Sequence, residues 1–196
     1  MTFYQYQDAA DYNWLMPEVL RHETIQALAL GKLLYEFFQP KSVLDVGGGP
    51  GIYLVPFKEL GCEVYCIDGA PEGGRCLALN EFELVDLRNG WSPHRYFDLA
   101  LCIEVAEHLQ PEHAPRLIET ITKSAPLVFF TAARPGQGGE GHYNERDKFY
   151  WKDLFARHGF YEHSRNEALM AVINTDEAYS HCGWMRWNGM MLGKQS

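Results

Sequence analysis

The sequence predicts a doubly wound, mostly parallel α/β sheet with helices on both faces. Two observations carry this. Short apolar segments of strand length alternate with segments of helical periodicity along most of the chain. The first of those strands, Val43-Leu44-Asp45-Val46, runs directly into Gly47-Gly48-Gly49-Pro50-Gly51. Glycines at a strand-to-helix turn admit positive φ and let the backbone approach a ligand, because no Cβ stands in the way.

Taken in order, residues 17–38 read as a helix. Pro17 suits a first helical turn, and Ile25, Leu28, Ala29, Leu33 and Phe37 recur at helical spacing until Gln39-Pro40 ends it. Residues 42–46 are the first strand, apolar enough to be buried on both faces. Residues 52–60 read as a helix that Pro56 kinks or shortens, with Gly61 at its C-terminal side. A second strand over 63–67 ends at Asp68, and 71–80 reads as a short helix weakened by Gly73-Gly74. A third strand over 82–85 is followed by Asp86, and a fourth spans 96–103. Residues 111–124 form a helix and 126–131 a fifth strand. The glycine-rich loop 132–141 is too long and too polar to be mere connection. A helix over 147–158 ends at Gly159, 160–164 is a further strand, and 184–192 can make a final one, with Trp184 and Trp187 packing it. No repeat or linker interrupts the pattern. The expectation is one domain over 1–196, with 1–16 an aromatic arm (Phe3, Tyr4, Tyr6, Tyr12, Trp14) that either closes over the site or packs on the body.

A chain of 196 residues is long enough to bury a full core. No apolar run approaches the ~20 residues that cross a bilayer, and the first residues lack a signal-peptide pattern. The five cysteines form no CxxC pair, so a reduced, cytoplasmic protein is expected. The formal net charge is −9 and no segment concentrates Lys or Arg, which argues against a nucleic-acid partner and for a small-molecule acceptor. The oligomeric state is not legible.

The glycine turn departs from the dinucleotide fingerprint, whose third glycine falls one position later, where this chain has Ile52. No GK[ST] follows, which excludes a P-loop. GxGxG after an apolar strand carrying an Asp resembles motif I of the class I S-adenosylmethionine (SAM) methyltransferases. The resemblance extends over residues 40–163, because acidic strand ends follow in the order that family uses. It implies a Rossmann-like fold with SAM over Gly47 and Gly49. It also implies Asp45 near the cofactor's amino group, Asp68 on the ribose hydroxyls, Asp86 beside the adenine amine and Leu87 on the adenine face. For Asp68 and Asp86 the competing reading is a turn residue that caps the next segment.

After the fourth strand the chain reads Glu104-Val105-Ala106-Glu107-His108. At i, i+3 and i+4 on a helical turn, Glu104, Glu107 and His108 would share one face. Two carboxylates and an imidazole so placed suit a divalent metal, and His142 in the glycine-rich loop is a fourth candidate. An ExxEH motif with a downstream His resembles the metal-dependent small-RNA 2′-O-methyltransferases, and ExxEH alone resembles the ubiquinone-biosynthesis O-methyltransferases. The former resemblance implies that Glu104, Glu107, His108 and His142 hold Mg²⁺ or Mn²⁺ beside an acceptor hydroxyl. The alternative is a metal-free acceptor pocket in which His142 is the catalytic general base. Arg21 and His22 are weaker candidates for the cofactor carboxylate. His94, His113, His158 and His163 read as surface groups.

A hydroxyl acceptor needs its proton removed by a base or a metal, whereas nitrogen or sulfur needs less help. O-methylation of a small-molecule or sugar-like hydroxyl is therefore the expected chemistry. The alternatives are methylation of an RNA 3′-end 2′-hydroxyl, which the charge opposes, and a non-catalytic SAM-binding protein.

Overall fold

The structure, a computed structural model, describes residues 16–195, with side chains from residue 23 onward. The aromatic arm lies outside the described residues, as do the side chains of Arg21 and His22.

Seven strands form one sheet: β1 (Ser42–Val46), β2 (Glu63–Asp68), β3 (Phe82–Leu84), β4 (Leu99–Ile103), β5 (Leu127–Thr131), β6 (Phe160–Glu162) and β7 (Met190–Lys194). Their order is β3-β2-β1-β4-β5-β7-β6. β1 to β5 pair in parallel, while β7 runs antiparallel to both β5 and β6. The chain steps outward from β1 to β3, then returns to lay β4 against the other side of β1, with Val43 opposite Leu99. The crevice beyond the carboxyl ends of β1 and β4 is therefore the topological switch point, where such sheets bind ligands.

The helices are α1 (Met16–Phe38), α2 (Val55–Glu59), α3 (Ala114–Ser124), α4 (Lys148–Ala156), α5 (Asn166–Thr175) and α6 (Gly183–Asn188). Strand alternation sends Val43, Leu101, Phe129 and Met191 to one face, against Leu30 and Leu34 of α1 and Leu169 and Ile173 of α5. Leu44, Val46, Val128 and Phe130 face the other layer, against Leu117 and Ile121 of α3 and Trp151 and Phe155 of α4. Each such side chain, fully buried, contributes about 1.5–3 kcal/mol. The two covered faces explain why the central strands are continuous apolar runs.

Several elements differ from the sequence expectation. Residues 52–60 split into a 3-10 turn (Ile52–Leu54) and the short α2, whose first turn holds Pro56, where the missing N–H costs nothing. Residues 71–80 form no helix. Gly74 sits at φ 69 with the Phe82 ring packed where a Cβ would lie, so turns continue until a 3-10 turn at Leu79–Glu81. β3 is one residue shorter than expected. β4 begins at Leu99 rather than 96, because Tyr96 is exposed and Phe97 gives its N–H to the Ser124 carbonyl. β5 starts at Leu127 and β6 stops at Glu162. α3 is preceded by a 3-10 turn (Pro111–His113), and α4 starts after Asp147, whose carboxylate caps the N–H groups of Phe149 and Tyr150. The expected strand over 184–192 is α6 followed by β7, with the Gly189 N–H closing on the Met185 carbonyl between them. α5 was not anticipated. No described helix is long and apolar enough to cross a membrane. The five cysteines are unbridged, and all but Cys76 are buried.

Candidate active site

A cavity of about 380 Å³ opens at the carboxyl ends of β1, β2 and β4. Asp45, Gly47, Gly49, Asp68, Asp86, Leu87, Glu104 and His108 of the sequence-predicted set line it. Glu107 and His142 are not among its lining residues.

The loop after β1 is held in shape from both sides. Gly47, Gly49 and Gly51 adopt φ of 75, 52 and 81. Gly48 is equally constrained for another reason: a Cβ there would lie 2.5 Å from Asp45 Oδ2. The Gly49 N–H donates to Asp68 Oδ2 at 2.8 Å, and the Ala70 N–H to Oδ1 at 2.6 Å. Burial raises the Asp68 pKa against the lowering effect of these two donors. Asp45 is 1% exposed, and its Oδ2 has no hydrogen-bond partner. Burial, then Asp68 and Glu23, push its pKa up to about 8. Glu23 of α1 and Tyr53 also line the cavity. Sequence reasoning missed both, since neither belongs to a motif. Asp86 lines the cavity beside Leu87, but its carboxylate accepts from Arg88 N, Nε and Nη2 and from Asn89 Nδ2, capping the turn that follows β3. Burial raises its pKa, and the Arg88 contacts outweigh that to leave it lowered.

The segment after β4 corrects one expectation. Glu104, Glu107 and His108 do not share a helical face. Glu104 has φ 51, its N–H held by Thr131 Oγ1 at 2.9 Å, and a 3-10 turn at Ala106–His108 begins only afterwards. The Glu104 carboxylate turns to Gln137 Nε2 (2.6 Å) and Asn188 Nδ2 (3.2 Å). The ligand atoms that do converge, within 4.8 Å of one another, belong to Glu107, His108 and His142. Three of the four expected ligands therefore meet, with Glu104 close enough to act on Glu107.

Glu107 is fully buried. Its Oε1 accepts the Ala133 N–H at 3.1 Å, and Oε2 has no partner. Burial first and Glu104 second push its pKa far above the carboxylate range. The Glu107 carbonyl accepts the N–H groups of Tyr143 and Asn144, which ties the glycine-rich loop to the end of β4. His108 Nδ1 lies 3.2 Å from the Gly141 carbonyl. A carbonyl only accepts, so Nδ1 carries the proton and the lone pair sits on Nε2. Burial and then His142 push the His108 pKa down to about 4, which keeps the ring neutral. The two imidazoles meet edge-on with centroids 4.8 Å apart. A buried carboxylate oxygen lacking a partner beside two imidazoles is a donor set that fits a divalent cation.

His113 and Trp184 also line the cavity, so neither is the surface or strand-packing group the sequence suggested. Trp184 reaches it because α6, not a strand, carries it.

A glycine loop and acidic strand ends around a switch-point cavity, on a parallel sheet closed by one antiparallel strand, define the class I SAM-dependent methyltransferase architecture. The chain belongs to the methyltransferase-domain family, whose model matches residues 16–166, and it is a SAM-dependent methyltransferase. No curated protein matches it. Among solved structures it is similar to the 1,6-didemethyltoxoflavin-N1-methyltransferase of Burkholderia thailandensis, at 17% identity and TM-score 0.69 over 100% of this chain and 92% of that one. It is similar to the plantazolicin methyltransferase BpumL at 14% identity and TM-score 0.67, over 97% and 92%. A SAM-dependent methyltransferase from Archaeoglobus fulgidus matches at 17% identity and TM-score 0.63, over 93% and 100%. At these identities the likeness is one of fold.

Proposed function

We propose that this enzyme transfers a methyl group from SAM to the oxygen of a small-molecule hydroxyl, and that Glu107, His108 and His142 hold a divalent cation beside it. The observation that carries the proposal is the buried Glu107 Oε2, which lacks a partner where two imidazoles converge. The toxoflavin enzyme above acts on a small molecule by its name, and the net charge of −9 fits that substrate class better than an RNA end. Bound there, the cation would lower the pKa of the acceptor hydroxyl. One carboxylate with two imidazoles favours Mn²⁺ over Mg²⁺, which prefers an all-oxygen shell. Asp68 is suited to the ribose, Asp45 with Glu23 to the cofactor's ammonium, and Leu87 to the adenine face. Transfer is an in-line displacement at the methyl carbon, so alignment of the two reactants is most of the enzyme's task.

Calorimetry with Mn²⁺ on the purified protein, followed by turnover of labelled SAM over a panel of hydroxyl and amine acceptors, tests this. One Mn²⁺ per chain, lost in Glu107→Gln, is expected. Chelator should abolish turnover and leave SAM affinity nearly intact. Turnover that resists chelator overturns the metal and leaves His142 as the general base. Turnover confined to amines overturns the hydroxyl.

A further inference from the structure

The glycine-rich loop 132–147 is organised around a residue that no motif contains. Glu145 Oε1 lies 3.0 Å from His142 Nδ1 and accepts the Gly138 N–H at 2.7 Å, while Oε2 accepts the Gly136 N–H at 2.8 Å. Three donors converge on one carboxylate. A carboxylate only accepts, so His142 must carry a proton on Nδ1, and in the neutral ring the lone pair is then on Nε2. The loop also closes on the ring from the opposite direction. Gly139 sits at φ 154, and a Cβ there would lie 2.4 Å from His142 Nε2 and 2.6 Å from Cε1. The ring is thus gripped between a carboxylate at one nitrogen and bare backbone against the ring itself.

We infer that Glu145 is the positioning residue of the acceptor site: it selects the Nε2 lone-pair tautomer of His142 and folds the glycine loop around that ring. His142 then faces His108, itself fixed in the same tautomer by the Gly141 carbonyl. Two neutral imidazoles with Nδ1–H tied back and the lone pair left on Nε2 suit either a metal ligand or a general base. A hydrogen bond to the far ring nitrogen is what orients such a group and raises its basicity. Glutamine cannot replace Glu145 in this role. Its single carbonyl oxygen can serve either Gly136 or the His142–Gly138 pair, and its NH₂ then faces a donor. The glycines at 136, 138 and 139 are accounted for by the same geometry: two present their N–H groups to the carboxylate, and the third leaves room for the ring.

The inference rests on the proposed function only in that His142 acts at the site, and the test separates the two. Long-range ¹H–¹⁵N NMR on the wild-type protein at pH 8 should show His142 as the Nδ1–H tautomer. In Glu145→Gln the population should move toward Nε2–H. Mn²⁺ affinity measured by calorimetry should fall about 10–100-fold, and kcat should fall while the Kd for SAM stays within twofold. Glu145→Asp should restore part of kcat. A wild-type His142 in the Nε2–H form overturns the inference without any variant. So does a Gln variant whose tautomer and kcat match wild type. If the wild type binds no Mn²⁺ but the tautomer shift and the kcat loss appear together, the metal reading fails and Glu145 stands as the partner of a general base.

Discussion

The Gly49 N–H meets Asp68 Oδ2 at 2.8 Å, tying the loop after β1 to the end of β2 at the rim of the cavity. The other oxygen of Asp68 holds the Ala70 N–H. Each oxygen keeps a second lone pair, so the carboxylate can shape the loop and still accept from a ribose diol. Asp68→Ala removes both functions and should weaken SAM binding by about 1.5–3 kcal/mol. Asp68→Asn, which keeps one acceptor, should fall between. Titration calorimetry reads both, and an unchanged affinity in a folded Ala variant would place the ribose elsewhere.

If Asp45 meets the cofactor's ammonium, as proposed, cofactor binding should depend on pH. The groups acting on it are Asp68 and Glu23, with Tyr53 and the buried thiols of Cys66 and Cys102 alongside, and none is a cation. With a pKa near 8, Asp45 is protonated in the unliganded enzyme at pH 6 to 7. A ligand ammonium favours its ionised form, so binding there releases a proton. Affinity should rise with pH by up to about tenfold per unit. It should level off near pH 8, where Asp45 ionises by itself and the α-amino group of SAM begins to lose its charge. Asp45→Asn should flatten the profile. The same shift means that the unliganded protein loses stability as pH rises from about 4 through about 8, because the folded state holds this proton more tightly than the unfolded chain. Calorimetry in two buffers of different ionisation enthalpy counts the released proton; a count near zero at pH 6.5 would refute the assignment.

What the sequence disclosed was chemistry tied to a local backbone demand. The strand 42–46 was legible because a doubly covered strand is largely apolar, and the turn at Gly47–Gly51 because the positive φ of Gly47, Gly49 and Gly51 favours glycine. Asp68 followed from its place at a strand end. Glu104 was misplaced because helical spacing presumes helical dihedrals, and its φ of 51 depends on a bond to Thr131 that is 27 residues away. Glu23 sits on a helix read for its apolar face, so its turn toward Asp45 was hidden. Glu145 was hidden because loop conformation sets its partners, and spacing alone cannot choose between one donor and three. α6 was read as a strand because Trp184 and Trp187 suit either state, and only the close at Gly189 decides.

Retention of nucleic acid by charge is not expected. Several basic side chains are paired with acids: Lys58 with Glu81, Arg88 with Asp86, Lys152 with Glu162 and Arg157 with Asp153. With a net charge of −9 left over, duplex and single-stranded oligonucleotides should pass a column of the immobilised protein at about 150 mM salt. Retention that falls steeply with added salt would show a basic surface on the folded chain that pairwise matching misses.

Asn188 is the residue whose replacement should most clearly separate stability from cofactor binding. It is buried at the end of α6, and its Nδ2 donates to Glu104 Oε1 at 3.2 Å and to Gln137 Oε1 at 2.8 Å. One amide therefore joins α6, the end of β4 and the glycine-rich loop, and helps keep Glu104 at a φ that costs about 1–3 kcal/mol when unsupported. Asn188→Asp exchanges that donor for a third acceptor facing two others. The expected loss is about 1–3 kcal/mol. For a chain of this size that is a fall of about 2–4 °C in Tm per kcal/mol. Asn188 is not among the cavity-lining residues, so the Kd for SAM should stay close to wild type while the KM for the acceptor rises as Glu104 loosens. Thermal unfolding and SAM calorimetry on the same preparation decide the matter. An unchanged Tm would mean that Glu104 is held by Thr131 and Gln137 without help from α6, and an equal loss of SAM affinity would mean that the three segments move as one body with the cofactor loop.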